Sequence, residues 1–420
     1  MSPEFFKNNR KRFAKKMLPD SIAIFFSNDL MPRSGDAYFP FKQNSSLYYL
    51  TGLDQPETVL VLYPDSEKAG FKEVIFIRKT DEFIRIWEGY QYSQEDATSI
   101  SGIEKVFWTD DLDRILHELI LMAKRIYINS SEQDNFSPEV MSGNDRKGRL
   151  IHEKYPFHKF HRSQPILKKM TVIKSSEEVQ MIQKAIDIAG NGFMQVLQKV
   201  KPDMYEYELE ALLTGSFIAQ GATGHAFDPI IASGADSCVL HYTHNSKKMK
   251  DGDLVLMDFG AEYGNYNSDI SRTIPVNGQF SPRQRKVYEA VLSVFKEVKK
   301  LLVPGTLLQD YQTEAGKIMR SALVGLGLPV EKGDDYKKYF MHSMSHHLGL
   351  DVHDAGSRYA PIQAGMVFTV EPGIYIREEG LGIRLENDIL VTDEEPIDLC
   401  AQIPLEAGEI EDLIQQFKSS

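Results

Sequence analysis

Asp253-Leu-Val-Leu-Met-Asp258-Phe-Gly260, followed by Ala261-Glu-Tyr-Gly-Asn265 and then Tyr266-Asn-Ser-Asp269-Ile-Ser-Arg-Thr273, reads as a strand, a tight turn and a returning strand. A two-residue turn at Tyr263-Gly264 sets Asp258 directly opposite Asp269, their Cβ atoms about 5 Å apart. A slip of one residue would send the two carboxylates to opposite faces. A second stretch repeats the arrangement. Val367-Phe-Thr-Val-Glu371 runs out to Arg377-Glu-Glu-Gly380, and Ile383-Arg-Leu-Glu386 returns. A turn centred on Glu378-Glu379 sets Glu371 opposite Glu386. Four carboxylates held this way repel one another, and like charges raise each other's pKa. Bound divalent cations relieve that repulsion. For any single Asp or Glu a solvent-facing side chain is the simpler reading; two opposed pairs in matching places favour a metal centre.

The elements around these hairpins also occur twice. The first pass has helical stretches over about 176–199 and 204–220 and a hairpin near 253–276. The second has helices from Ser281-Pro282 to about 302 and over about 306–325, and a hairpin near 365–392. Ser175 with Glu178 fits a capping box, and Pro282 suits a first helical position. The repeat predicts two similar halves about an approximate two-fold axis. Upstream, Ser21–Phe26, Val59–Tyr63 and Val74–Ile77 are β-branched and aromatic, as strands are. Amphipathic stretches such as Asp110–Ala123 lie between them. A break at His161-Arg-Ser-Gln-Pro165 places a boundary between about 162 and 174. The expected architecture is α+β: a mixed α/β domain over 1–168 and a catalytic domain over 169–420.

Composition narrows the function. The 420 residues carry 48 Lys plus Arg against 60 Asp plus Glu, a net charge of −12, which argues against a nucleic-acid partner. Cys238 and Cys400 are the only cysteines, too few for a disulfide framework or a cysteine zinc site. No apolar run approaches the ~20 residues that span a bilayer, so no membrane role is expected. A reducing, cytoplasmic setting follows. GxGxxG, GxxxxGK[ST] and GxSxG are all absent.

Seven of the 11 histidines lie from His225 onward, four of them in His342-Ser-Met-Ser-His346-His347-Leu-Gly-Leu-Asp-Val-His353. His342 and His346 have the i, i+4 spacing of a helical zinc pair, but Ser343 stands where that motif has glutamate. The cluster can supply one nitrogen ligand and neighbouring proton carriers. His241-Tyr-Thr-His244 precedes the first hairpin.

Together, Leu240–Asn245, Met257–Gly260, Ser268–Thr273, Ser345–Gly349, Val352–Asp354 and Glu371-Pro-Gly373 resemble the pita-bread metallopeptidases, in particular the aminopeptidase P (Xaa-Pro aminopeptidase) family. Arg33-Ser-Gly-Asp36-Ala-Tyr38 and Leu47–Gly52 are similar to that family's N-terminal domain. Lys42, Asn44 and Ser271 depart from it, standing where Arg, Asp and Thr are commoner. The resemblance implies two divalent ions, manganese by preference with zinc or cobalt as alternatives, held by Asp258, Asp269, His346, Glu371 and Glu386 around a bridging hydroxide. It implies Glu371 as proton carrier, His353 and His241 as substrate-contacting histidines, His342 as their support, and Arg384 orienting the ligand carboxylates. Trp87 matches an aromatic that closes over substrate, in some members from a neighbouring subunit, and a homo-oligomer (dimer or tetramer) is implied. The substrates implied are peptides with proline second. A prolidase, cleaving Xaa-Pro dipeptides with the same fold and ligands, is the near alternative; a non-catalytic pita-bread peptide-binding protein is the distant one. Creatinase-type members lack the ligands, and methionine aminopeptidase has no need of some 170 preceding residues.

Overall fold

The computed structural model describes residues 1–130, 132, 139–330 and 333–419. They form two compact units, Met1–Thr171 and Val172–Ser420. In the first unit a six-stranded mixed sheet has the spatial order Val106–Trp108, Glu73–Ile77, Val59–Leu62, Ser21–Phe26, Arg125–Ile128, Lys159–Arg162. Every residue of the central strand Ser21–Phe26 is buried, which a run of Ile, Ala and Phe without polar alternation requires. Ile22, Ile24 and Phe26 pack with Ile115, Leu116, Leu119 and Ile120 of the helix Leu112–Met122. On the other face Phe25 meets Phe13 of the helix Pro3–Ala14 edge to face, ring centroids 5.3 Å apart. Asn44, one of the departures from the family pattern, caps the helix Ser45–Thr51 by accepting the Leu47 N–H at 3.2 Å. Asparagine does that work as well as aspartate.

In the second unit the duplicated order is realised. Helices Ser176–Lys199 and Glu206–Ala219 precede the first hairpin, and Pro282–Lys299 and Leu308–Gly325 precede the second. Ser175 and Glu178 close a reciprocal capping box, and Ser281 with Gln284 closes another ahead of Pro282. The two halves agree in a further detail: the residue before each second helix, Tyr205 or Leu307, makes an isolated antiparallel bridge to a later loop, at Lys248 or Pro361.

The first hairpin departs from the expected register. Its turn is Gly264-Asn265, not Tyr263-Gly264, with Tyr263 paired to Tyr266 and Glu262 to Asn267. Both turn residues have positive φ, +56° and +65°, as the two central positions of a type I′ hairpin turn demand. Glycine and asparagine tolerate this conformation where tyrosine does not. Asp258 therefore opposes Ser271 rather than Asp269. The shift is two residues, and since side chains alternate with a period of two, Asp258 and Asp269 still belong to one face. At Gly260 the strand breaks; a Cβ there would lie 1.8 Å from the Ser268 carbonyl oxygen. The second hairpin keeps the expected register. Val367–Val370 pairs with Asn387–Leu390, and Gly373–Ile376 with Leu381–Arg384 around a four-residue connection centred on Glu378-Glu379. Glu371 and Glu386 lie between the paired stretches, where the Leu385 N–H still reaches the Pro372 carbonyl at 3.2 Å.

Candidate metal centre

The two hairpins meet through side chains. Asp269, His346 and Glu386 bring one ligand atom each to within 4.8 Å of one another. His346 Nε2 lies 3.4 Å from Asp269 Oδ2 and 3.8 Å from Glu371 Oε1. Its Nδ1 is 3.0 Å from the His347 carbonyl oxygen. A carbonyl only accepts, so Nδ1 carries the proton and Nε2 keeps a free lone pair facing the carboxylates. His342 and His346 lie on irregular chain and not on a helix, so their sequence spacing has no helical meaning.

Asp258 comes from the first hairpin and is held by the second: Arg384 Nη2 donates to its Oδ2 at 2.6 Å. The same guanidinium donates through Nε to Ser271 Oγ at 2.9 Å and through Nη1 to the Tyr375 hydroxyl at 3.0 Å. Ser271 in turn donates to Glu386 Oε2 at 2.7 Å. The Ser271 departure thus keeps the hydroxyl that threonine would supply. The Tyr375 hydroxyl also meets His342 Nε2 at 2.8 Å, while His342 Nδ1 faces the Ser343 carbonyl. The proton on Nδ1 makes Nε2 the acceptor, so the donor chain runs Arg384 to Tyr375 to His342. His342 Nδ1 lies 3.4 Å from Glu371 Oε2. His353 sits edge-on to His346, ring centroids 4.4 Å apart.

The electrostatics are those of crowded acid groups short of positive charge. Asp269 is driven well above the usual carboxylate range by burial first and then by Asp258, Asp388 and Glu371. Glu386 rises likewise through burial, Asp269 and Glu371. Burial lifts Glu371 to about 7 against the pull of His346 and Arg384. Burial, then the Arg384 charge, presses His342 down to about 3; the surrounding protein, then His346 and His241, press His353 down to about 4. Asp258 Oδ1 is buried with no hydrogen-bond partner. An orphaned carboxylate oxygen beside three more carboxylates and an available imidazole nitrogen fits a divalent-cation site of hard, oxygen-rich character.

Comparison with known proteins agrees. The profile of metallopeptidase family M24 matches residues 180–393, and that of the aminopeptidase P N-terminal domain matches 6–127. The chain belongs to the M24 metallopeptidase family. It is 35% identical to the Xaa-Pro aminopeptidase of Escherichia coli over 99% of this chain and 98% of that one. It is 34% identical to the Haemophilus influenzae Xaa-Pro aminopeptidase over 98% and 97%. The aminopeptidase PepP of Pseudomonas aeruginosa superposes with a TM-score of 0.92 at 31% identity, covering 100% of this chain and 99% of that one.

Two residues of this M24 centre escaped the sequence reading. Tyr375 could have been found by alternation: it shares the period-two face of Glu371 and Gly373, and the missing side chain of Gly373 leaves room for its ring. Asp388, fully buried, accepts the Asp269 backbone N–H at 3.1 Å. That contact joins the two hairpins, and nothing in the local sequence announces it. Trp87 lies in the first unit on the helix Glu82–Glu88, which has no buried residue; Phe83, Ile86 and Trp87 are 69%, 74% and 74% exposed. Among the described residues no helix is long and apolar enough to cross a membrane.

Proposed function

We propose that this M24 peptidase removes the N-terminal residue from peptides whose second residue is proline. The observation that carries the reading is the convergence of Asp269, His346 and Glu386, with Asp258 tied in by Arg384 and Glu371 within reach of His346. Its full-length likeness to proteins named Xaa-Pro aminopeptidase supplies the substrate class. Asp258, Asp269, His346, Glu371 and Glu386 would hold two divalent cations, for which the oxygen-rich donors favour manganese over zinc or cobalt. Bound there, the cations supply Lewis acidity toward the scissile carbonyl and make water acidic enough to attack near neutral pH.

The chain's own groups do the rest. Glu371, with its affinity for a proton raised to near neutrality, takes a proton from the attacking water and delivers it to the leaving nitrogen. In an Xaa-Pro bond that nitrogen belongs to a tertiary amide and must be protonated to depart. His353 and His241, both exposed, present their rings to substrate. His342, kept neutral by burial and bonded to Tyr375, supports Glu371. Arg384 fixes Asp258 directly and Glu386 through Ser271.

A panel of peptides assayed with manganese, with and without chelator, tests the reading. Cleavage of Xaa-Pro-Xaa tripeptides that stops on chelation is the expected result; turnover of Xaa-Pro dipeptides alone would make the protein a prolidase instead. A cytoplasmic location and a homo-oligomer complete the proposal. The exposed Phe83, Ile86 and Trp87 are the surface offered for the subunit contact, through which Trp87 would reach a neighbouring site.

A further inference from the structure

The Glu206 side chain is fully buried at the first position of the helix Glu206–Ala219. A carboxylate there ordinarily serves its own helix's free N–H groups. This one accepts four hydrogen bonds, all from two other segments. Oε1 takes the Ser233 backbone N–H at 2.8 Å and its hydroxyl at 2.7 Å. Oε2 takes the Tyr242 hydroxyl and the Lys247 backbone N–H, each at 2.9 Å. The Glu206 N–H completes the stitch by donating to the Lys247 carbonyl at 3.0 Å. Asn245, at φ +45°, is fixed in the same loop by bonds to Ile231, Pro229 and Glu210. The loop is therefore fastened at 242, 245 and 247, while His241, Thr243 and His244 remain exposed.

The second half is built the same way. Tyr311 and Gln312, in the first turns of Leu308–Gly325, hold Met344 and Ser345 just before His346. In each half the start of the second helix grips a histidine-bearing loop. Leu240 and Tyr242, on either side of His241, pack in one cluster with Tyr375, whose hydroxyl bonds His342 and Arg384. The strand the loop is clamped to pairs Ile230 with Asp258, so the loop borders the metal centre.

We propose that Glu206 is a positioning residue for the peptidase reaction: its buried carboxylate clamps the 241–247 loop to the strand Ile230–Ser233 and so sets His241 against the substrate. The inference rests on the Xaa-Pro reading for His241's role, and on the structure alone for the clamp.

The test is a double-mutant cycle of Glu206→Gln and His241→Ala, with hydrogen exchange followed at Ser233 and Lys247. Glutamine keeps one acceptor and turns an N–H₂ toward donors. Glu206→Gln is expected to reproduce the kcat against KM split of His241→Ala, with kcat/KM down about ten-fold or more. The double variant should be no worse than His241→Ala by more than about two-fold. Bound manganese should stay at the wild-type stoichiometry, and the two amides should exchange faster. Additive losses, wild-type kinetics, or loss of metal in Glu206→Gln would overturn the proposal. If Glu206→Gln fails to fold, Tyr242→Phe removes one of the four bonds and must give a smaller loss, again absent on a His241→Ala background. No Xaa-Pro turnover in the wild type, with both amides still faster in Glu206→Gln, would sink the substrate reading and leave the clamp standing.

Discussion

Glu371 and Ser271 show how single side chains carry the centre. Glu371 combines a raised proton affinity with positions 3.8 Å from His346 and 3.4 Å from His342. Glu371→Gln keeps the shape and loses the proton carrier, and kcat is expected to fall by about 10²–10⁴-fold. Steady-state kinetics with a circular-dichroism check on folding would show it. Ser271 links Arg384 Nε to Glu386 Oε2 through its hydroxyl. Removing it leaves two buried polar groups each short of a partner, a cost of about 1–3 kcal/mol. Ser271→Ala should therefore lower the melting temperature and weaken metal binding. Ser271→Thr, which restores the residue commoner in the family, should do neither. Equal behaviour of the two variants in calorimetry and metal titration would refute the bridge.

At the level of the element, the hairpins owe their geometry to turns and tight crossings. The first hairpin was expected to turn one residue too early because Tyr263-Gly264 carries a glycine, but the backbone needs two positive φ values. Gly264-Asn265 supplies both. Gly260 matters differently, because a methyl group there would collide with the Ser268 backbone, which a neighbouring rotamer cannot relieve. Gly260→Ala is expected to destabilise the protein by more than about 2 kcal/mol. It should also reduce metal affinity, since Ser268 precedes Asp269. Denaturant unfolding and metal titration would measure both, and an unperturbed variant would contradict the tight crossing.

Over the whole molecule, charge governs. Without cations, Asp269 and Glu386 stand well above the usual carboxylate range and Glu371 reaches about 7. Near pH 6 Glu371 holds a proton that an entering cation must displace, and the raised Asp269 and Glu386 act in the same direction. Raised ligand pKa values thus make binding stronger as pH rises: metal affinity should grow from pH 6 to 7.5, by up to about ten-fold per unit for each proton released. Calorimetry of the chelated protein in buffers of different ionisation enthalpy would count those protons; pH-independent binding without proton release would contradict the sign. Light scattering addresses the assembly: a dimer or tetramer is expected for the wild type, and a shift toward monomer on replacing Phe83, Ile86 and Trp87 with serine. A monomeric wild type would exclude the subunit contact.

The linear chain by itself determined a good deal. Alternating apolar residues around carboxylates, capping boxes at Ser175 and Ser281, and two passes through helix, helix and hairpin were enough to read the α+β fold and its repeat. Those signals are local: hydrophobic period, caps and turns act within a few residues. The second hairpin's register followed because its connection is symmetric about Glu378-Glu379. Contacts between segments far apart in sequence were not legible. Asp388 beneath Asp269 joins the two halves, while Tyr375 between Arg384 and His342 and Glu206 beneath the His241 loop join separate segments within one half. Which buried carboxylate accepts which distant N–H depends on packing at the scale of an ångström, and only the tertiary structure decides that.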